Sequence, residues 1–130
     1  MSLVMIHNIE IKGLIFDLDG VIADTAHLHY RAWCKIGEQW DFNLSLAQNE
    51  ELKGVSRKDS ITKIANWAGK SFTEEELDAF ALEKNENYLS YCQTLGTKDI
   101  LPGVYDFIHA SMKRGLKLAV GSASKNAKLI

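Results

Sequence analysis

Polar and apolar positions alternate from Ile9 and then give way to a continuous apolar run, Gly13-Leu14-Ile15-Phe16. A run without polar interruption predicts a strand covered on both faces, as in a parallel sheet. Beyond it the period changes. Leu28, Ala32, Ile36 and Trp40 recur every four residues, with Trp33 beside them, and predict a helix over 25–40 with Asp24 or Thr25 as its N-cap. A short helix is expected around Ser45–Leu52, and Gly54 breaks the pattern. The helical period resumes over 59–68 through Ile61, Ile64, Ala65 and Ala68, and Gly69 ends it. Thr73, three residues before Glu76, reads as a capping box. The helix it opens runs to about Leu95, with Leu77, Phe80, Ala81, Tyr88, Leu89 and Cys92 as its apolar face. Pro102 suits the first turn of a helix over 103–114 that stops at Gly115. Leu116 to Val120 reads as a second buried strand, and Lys125 to Ile130 as the start of another helix.

Strand, helical block, helix, strand and loop in that order predict an α/β fold with parallel strands. The helical block, about 26–97, is too long for a simple crossover and reads as an inserted helical subdomain. Two confident strands are few for such a sheet, so the chain reads as incomplete, with an uncovered sheet edge and apolar face. Met1-Ser2-Leu3 and the second methionine at Met5 resemble an expression remnant and are set aside from the fold.

Composition narrows the class. A hydrophobic content of 46% and a charged content of 25% are those of a globular domain. A net charge of −2 offers no basic face for nucleic acid. No stretch approaches the ~20 apolar residues of a membrane span, and the N-terminus lacks the charged start and apolar stretch of a secretion signal. Cys34 and Cys92 lie far apart without metal-ligand spacing and read as reduced thiols of a cytoplasmic protein.

Candidate chemistry begins where the first strand stops. Asp17 and Asp19 lie one residue apart at its carboxyl end, and Gly20 permits a tight exit. Mg²⁺ takes oxygen ligands and is commonly held by one or two carboxylates plus substrate phosphate. A carboxylate can also attack phosphorus and divide one difficult transfer into two easier steps. A second carboxyl group, when protonated, can supply the leaving oxygen with its proton and later act as base. The plainer reading of Asp-x-Asp-Gly is a turn; the buried strand before it favours chemistry. The second constellation, Ser122, Ser124, Lys125 and Asn126, follows the second strand. Alone it reads as an ordinary N-cap. In an open α/β sheet, however, ligands bind beyond the carboxyl ends of the strands, and both constellations belong to that edge.

These segments together resemble the haloacid dehalogenase-like superfamily, and within it the β-phosphoglucomutase group. DLDGVIADT at 17–25 has the form of the family's first motif, and Ser122 stands where its second motif places a phosphate-binding serine or threonine. HLHYRAW at 27–33, ELKGVSRKDS at 51–60, EKNENY at 83–88, LPG at 101–103 and SASKNA at 122–127 extend the likeness over nearly the whole chain. The resemblance implies a partial Rossmann-like parallel sheet core, residues 1–25 and 98–130, with a helical cap over 26–97. It implies Asp17 as nucleophile and Mg²⁺ ligand, and Asp19 as general acid/base that also binds Mg²⁺ through its carbonyl. Ser122 would hold the transferring phosphoryl group. Arg57, Ser124, Lys125 and Asn126 would hold the other phosphate of a phosphorylated sugar. His29 and Lys84 would engage substrate and position protons, Thr25 would be a hinge, and Gly54 would lie in a specificity loop. Read alone, Arg57 is a solvated arginine and His29 and Lys84 are structural or exposed; Trp33, Trp40, Trp67 and Tyr88 read as packing residues.

The family's third-motif lysine and later acidic pair would fall beyond Ile130. The resemblance therefore implies a truncated Mg²⁺-dependent mutase, acting through an aspartyl-phosphate, with little activity as the isolated chain. Self-association through the incomplete core is consistent with this reading. A sugar-phosphate phosphatase with the same chemistry, and a non-catalytic fragment serving as a binding or assembly module, stand as alternatives.

Overall fold

The computed structural model describes residues 4–129, and the fold is α/β. The chain divides into two compact units, one formed by Met1–Ala26 with Leu95–Ile130 and the other by His27–Thr94.

The first unit opens with an antiparallel hairpin of β1 (Val4–Ile6) and β2 (Ile9–Ile11). His7 and Asn8 turn it with φ of 48° and 68°, the pair of positive values that a two-residue hairpin turn requires. The segment set aside as a remnant thus reaches into the first strand. The single strand expected from Ile9 is also broken: Lys12 separates β2 from β3 (Gly13–Phe16). β3 pairs in parallel with β4 (Lys117–Val120), Phe16 lying opposite Val120. Between them in sequence comes α5 (Val104–Lys113), packed on β3 through an edge-on contact of Phe16 and Phe107, centroids 6.1 Å apart. Pro102 lies just outside this helix rather than in its first turn; Gly103, at φ 81°, occupies the N-cap position. A short 3-10 turn, Thr97–Asp99, precedes it and has no counterpart in the sequence pattern. The helix expected from Lys125 is, among the described residues, a 3-10 turn over Ala127–Leu129.

The second unit is helical. α1 (Ala26–Glu38), α2 (Leu46–Leu52), α3 (Arg57–Trp67) and α4 (Glu74–Cys92) surround one core. Ile36, Ile61 and Ile64 are wholly enclosed, and Trp33, Trp40, Leu44, Leu52, Ala65 and Ala81 join them. Trp40, Phe72 and Phe80 close one end, with ring centroids 4.8–5.0 Å apart. Local signals start α2, α3 and α4: Ser45 and Thr73 form capping boxes with Gln48 and Glu76, and the Ser56 side chain accepts from the Asp59 amide.

Candidate active site

β3 and β4 run parallel and end together, and the Gly121 amide donates to the Phe16 carbonyl at 2.8 Å. Asp17, directly after β3, and Ser122, two residues after β4, therefore leave the sheet at one edge. Asp17 is exposed, and its Oδ1 accepts from the Leu18 amide at 2.8 Å. The chain then turns sharply: the Gly20 amide bonds the Ala23 carbonyl at 2.9 Å, and Gly20 adopts φ 71°, where a side chain would be strained. This turn brings Thr25 back to Asp19. The Thr25 hydroxyl, fully enclosed, donates to Asp19 Oδ1 at 2.6 Å and holds that carboxylate in one orientation. Asp24 and Leu101 then anchor the loop, through the bond of the Asp24 amide to the Asp99 carbonyl and of the Leu101 amide to the Ile22 carbonyl, 3.0 and 2.9 Å.

On the second strand, serine side chains shape the loop. Ser122 Oγ accepts from the Ser124 amide at 3.1 Å and Ser124 Oγ from the Asn126 amide at 3.2 Å. Asn126 is buried, Ser122 and Ser124 are half-buried, and Lys125 is exposed. Behind this loop the described residues form a 3-10 turn over Ala127–Leu129, and hydroxyls, amides and the Lys125 ammonium are donors there. Asp17, Asp19, Thr25 and the 122–126 loop thus belong to one unit.

Among the described residues, no group of three or more His, Cys, Asp or Glu side chains is placed to hold a metal. The donors at this edge are Asp17 and Asp19. Their chemistry fits Mg²⁺, which commonly takes one or two protein carboxylates and completes its shell with water and substrate phosphate.

The remaining predicted residues lie in the helical unit. Lys84 on α4 is buried at 5% exposure, and its Nζ lies 2.9 Å from His29 Nδ1 on α1. His29 stacks on Tyr88 at 3.9 Å, and the Lys84 ammonium sits 4.5 Å from the centre of the Trp33 ring. Burial, and then the nearby Arg57 guanidinium, push the lysine down to about 7. Arg57 is exposed at the start of α3 and donates to Asn85 Oδ1 at 2.9 Å. Gly54, exposed at φ 75°, shapes the turn between α2 and α3. Asn85, as the support of Arg57, was not expected from the sequence. The burial of Lys84 was legible in part: position 84 falls three residues after Ala81 and four before Tyr88, on the apolar face of α4.

Comparison with known proteins places this chain in a family. The haloacid dehalogenase-like hydrolase model matches residues 11–129. β-Phosphoglucomutase of Bacillus subtilis strain 168 is 37% identical over 121 residues, covering 92% of this chain and 54% of that protein. Hexitol phosphatase A of Escherichia coli K12 is 31% identical over 110 residues, covering 84% of this chain and 47% of the relative. The crystal structure of β-phosphoglucomutase from Clostridium difficile superposes with a TM-score of 0.73 at 42% identity, over 90% of this chain and 53% of that one. The chain thus spans about half the length of the curated relatives it matches. It belongs to the haloacid dehalogenase-like hydrolase family, whose relatives here include phosphatases and phosphomutases.

Proposed function

We propose that this chain carries the attacking half of a phosphosugar mutase site, one that interconverts β-glucose 1-phosphate and glucose 6-phosphate. The observation that carries the reading is the shared carboxyl edge of β3 and β4, beyond which both Asp17 and Ser122 lie. The likeness to β-phosphoglucomutase over 92% of the chain supports the choice of substrate class.

In this reading the Asp17 carboxylate attacks phosphorus, an aspartyl-phosphate forms and the bond to the sugar oxygen breaks. Asp19 gives the leaving oxygen its proton and takes one from the next sugar hydroxyl. Thr25 holds Asp19 in place for both steps, and its position beside the boundary of the two units suits a hinge. Ser122 grips the transferring phosphoryl group. Ser124, Lys125, Asn126 and Arg57 grip the second phosphate of the bisphosphate intermediate, Arg57 by its planar fork of donors. His29 and Lys84 engage the sugar phosphate from the cap, 26–97, with Gly54 in the loop that selects it. Asp17 and the Asp19 carbonyl would hold Mg²⁺, which when bound neutralises charge on the phosphoryl oxygens.

The 130 residues do not include the later lysine and acidic pair that the resemblance implies. Transfer that depends on positioned charge is then slow. The chain assayed alone should isomerise β-glucose 1-phosphate weakly, with Mg²⁺ and a bisphosphate primer, and Asp17→Asn should abolish what remains. Turnover at the rate of a full-length mutase would contradict the impaired activity. Phosphate release without isomerisation would favour a sugar-phosphate phosphatase, the reading supported by the likeness to hexitol phosphatase A. Neither activity from folded protein would favour a binding or assembly module.

Self-association is part of the proposal. Ile15 and Val120, 79% and 58% exposed on the two paired strands, give one copy apolar surface to bury against another. No helix among the described residues is long and apolar enough to cross a membrane, and a cytoplasmic setting suits a phosphosugar enzyme with reduced cysteines.

A further inference from the structure

Two neighbouring cations at the start of α3 meet different partners on the α4 side. Lys58 Nζ pairs with the Glu74 and Asp78 carboxylates of α4, at 2.8 and 4.0 Å. Arg57, one residue earlier, donates from Nη2 to the side-chain oxygen of Asn85 at 2.9 Å. Among the described residues Arg57 forms no ion pair. The same two helices thus neutralise one cation and leave the charge of the other whole.

An amide and a carboxylate hold a guanidinium with different consequences. Both accept its N–H, but the carboxylate also cancels its charge. The amide occupies one donor of the planar fork and leaves the others for an anion. An exposed arginine without such a hold samples many rotamers, and an anion that orders it loses affinity to that entropy. Arg57 is exposed and Asn85 is half-buried on α4, so the acceptor is the better anchored of the two. Asn85 follows Lys84, and the bond keeps the guanidinium near enough to act on that lysine by its charge, the second cause after burial of the lysine's lowered value. Two like charges held close to one another favour the arrival of an anion.

We propose that Asn85 is a positioning residue for phosphate recognition, holding the Arg57 guanidinium against α4 as an uncancelled cation that receives the phosphate of a sugar phosphate. The inference rests on the reading of Arg57 as a phosphate-binding residue and adds the group that orients it. It also assigns the chemistry required at position 85: a neutral acceptor, where a carboxylate would bind Arg57 and compete with the substrate.

The test is calorimetric titration of the whole chain with glucose 6-phosphate, in the original sequence and in Arg57→Ala, Asn85→Asp, Asn85→Ala and the double variant Arg57→Ala with Asn85→Ala. Asn85→Asp should weaken binding about tenfold, the effect of one charge-assisted hydrogen bond. Its unfolding midpoint should equal or exceed that of the original sequence, because the new carboxylate pairs with Arg57. That opposition of affinity and stability is one that a purely structural asparagine would not produce. Asn85→Ala should weaken binding about threefold, and should cost nothing further once Arg57 is alanine. Asn85 variants that bind as the original does, while Arg57→Ala binds worse, would overturn the proposal and leave the reading of Arg57 standing. An Asn85→Ala penalty that persists without Arg57 would also overturn it, since Asn85 would then act on the ligand directly. Binding unchanged in Arg57→Ala, or absent from the original chain, would overturn the reading of Arg57 and the proposal with it. Should Asn85→Ala fail to fold, the isosteric Asn85→Asp decides.

Discussion

The two units of this chain treat apolar surface in opposite ways. The helical unit, His27–Thr94, encloses Ile36, Ile61 and Ile64 completely and stacks three aromatic rings over one end of its core. The unit that carries the strands leaves Ile15 79% exposed and Phe107, Val120 and Met112 more than half exposed. An all-parallel sheet is normally covered on both faces; here α5 lies on one, through Phe16 and Phe107. The contrast separates two requirements. Four amphipathic helices suffice to close a core, whereas two parallel strands suffice to bring Asp17 and Ser122 to one edge without closing anything around them.

The contrast can be broken most forcefully at Ile64. Truncation to alanine should cost the helical unit about 2–5 kcal/mol, because the side chain is wholly enclosed. All three tryptophans, Trp33, Trp40 and Trp67, lie in that unit, so denaturant unfolding followed by tryptophan fluorescence reads it selectively. A loss under 1 kcal/mol, read as roughly the effect of a surface change, would mean that the helical core is not packed as described.

Lys84 sharpens the comparison through pH. Its folded value, about 7, lies below the ordinary lysine value of 10.5. Below about pH 7 the amine is charged in both states, and the folded unit bears the full cost of burying that charge. Above 10.5 it is neutral in both and the cost is gone. Between these limits the unfolded chain binds more protons, so stability rises with pH, by at most about 1.4 kcal/mol per unit. The tryptophan-detected midpoint should therefore climb from pH 7 to pH 10, and Lys84→Met, which keeps the bulk and removes the amine, should flatten the climb. A wild-type midpoint that falls over this range would contradict the burial of this amine.

Smaller effects follow at the helix starts and on the sheet. Thr73→Ala removes the side chain that accepts from the Glu76 amide and should cost about 1 kcal/mol in the same assay. Ile15→Ser alters a side chain that is mostly in water, and should change stability by no more than about 0.5 kcal/mol. Its effect should appear in sedimentation instead, as less association at high concentration. Association unchanged by Ile15→Ser would remove the β3–β4 face from the self-association proposal.

Legibility in the sequence follows the same division. The period of Leu28, Ala32 and Ile36 foretold the buried stripe of α1 because burial of one helical face is what that period encodes; Trp40, the next in the series, is buried just beyond the helix end. The capping box at Thr73 marked the start of α4 because cap chemistry is local; the one that Ser45 forms with Gln48 was not read from the sequence. In the other unit the outcome rests on pairing between distant segments. Nothing in the run from Ile9 to Phe16 announces that Lys12 separates a hairpin strand from a parallel one, or that β1 lies in a segment set aside as a remnant. The terminal helix was read from composition alone and is a 3-10 turn among the described residues. At the candidate site, Asp17, Asp19 and Ser122 were singled out because the residues that follow a strand's end lie at the sheet edge. The burial of Lys84 was legible only in its place on the apolar face of α4, because lysine is almost always exposed; the rings of Trp33 and His29 from α1 enclose this one.

The central claim is that Asp17 accepts a phosphoryl group. Its most direct test is a single-turnover reaction of the whole chain with glucose 1,6-bisphosphate and Mg²⁺, quenched with borohydride to reduce an acyl phosphate to the alcohol, followed by peptide mapping. The account predicts homoserine at position 17, and none from Asp17→Asn. Phosphate recovered on another residue, or no reduction product at position 17 from folded protein, would contradict it.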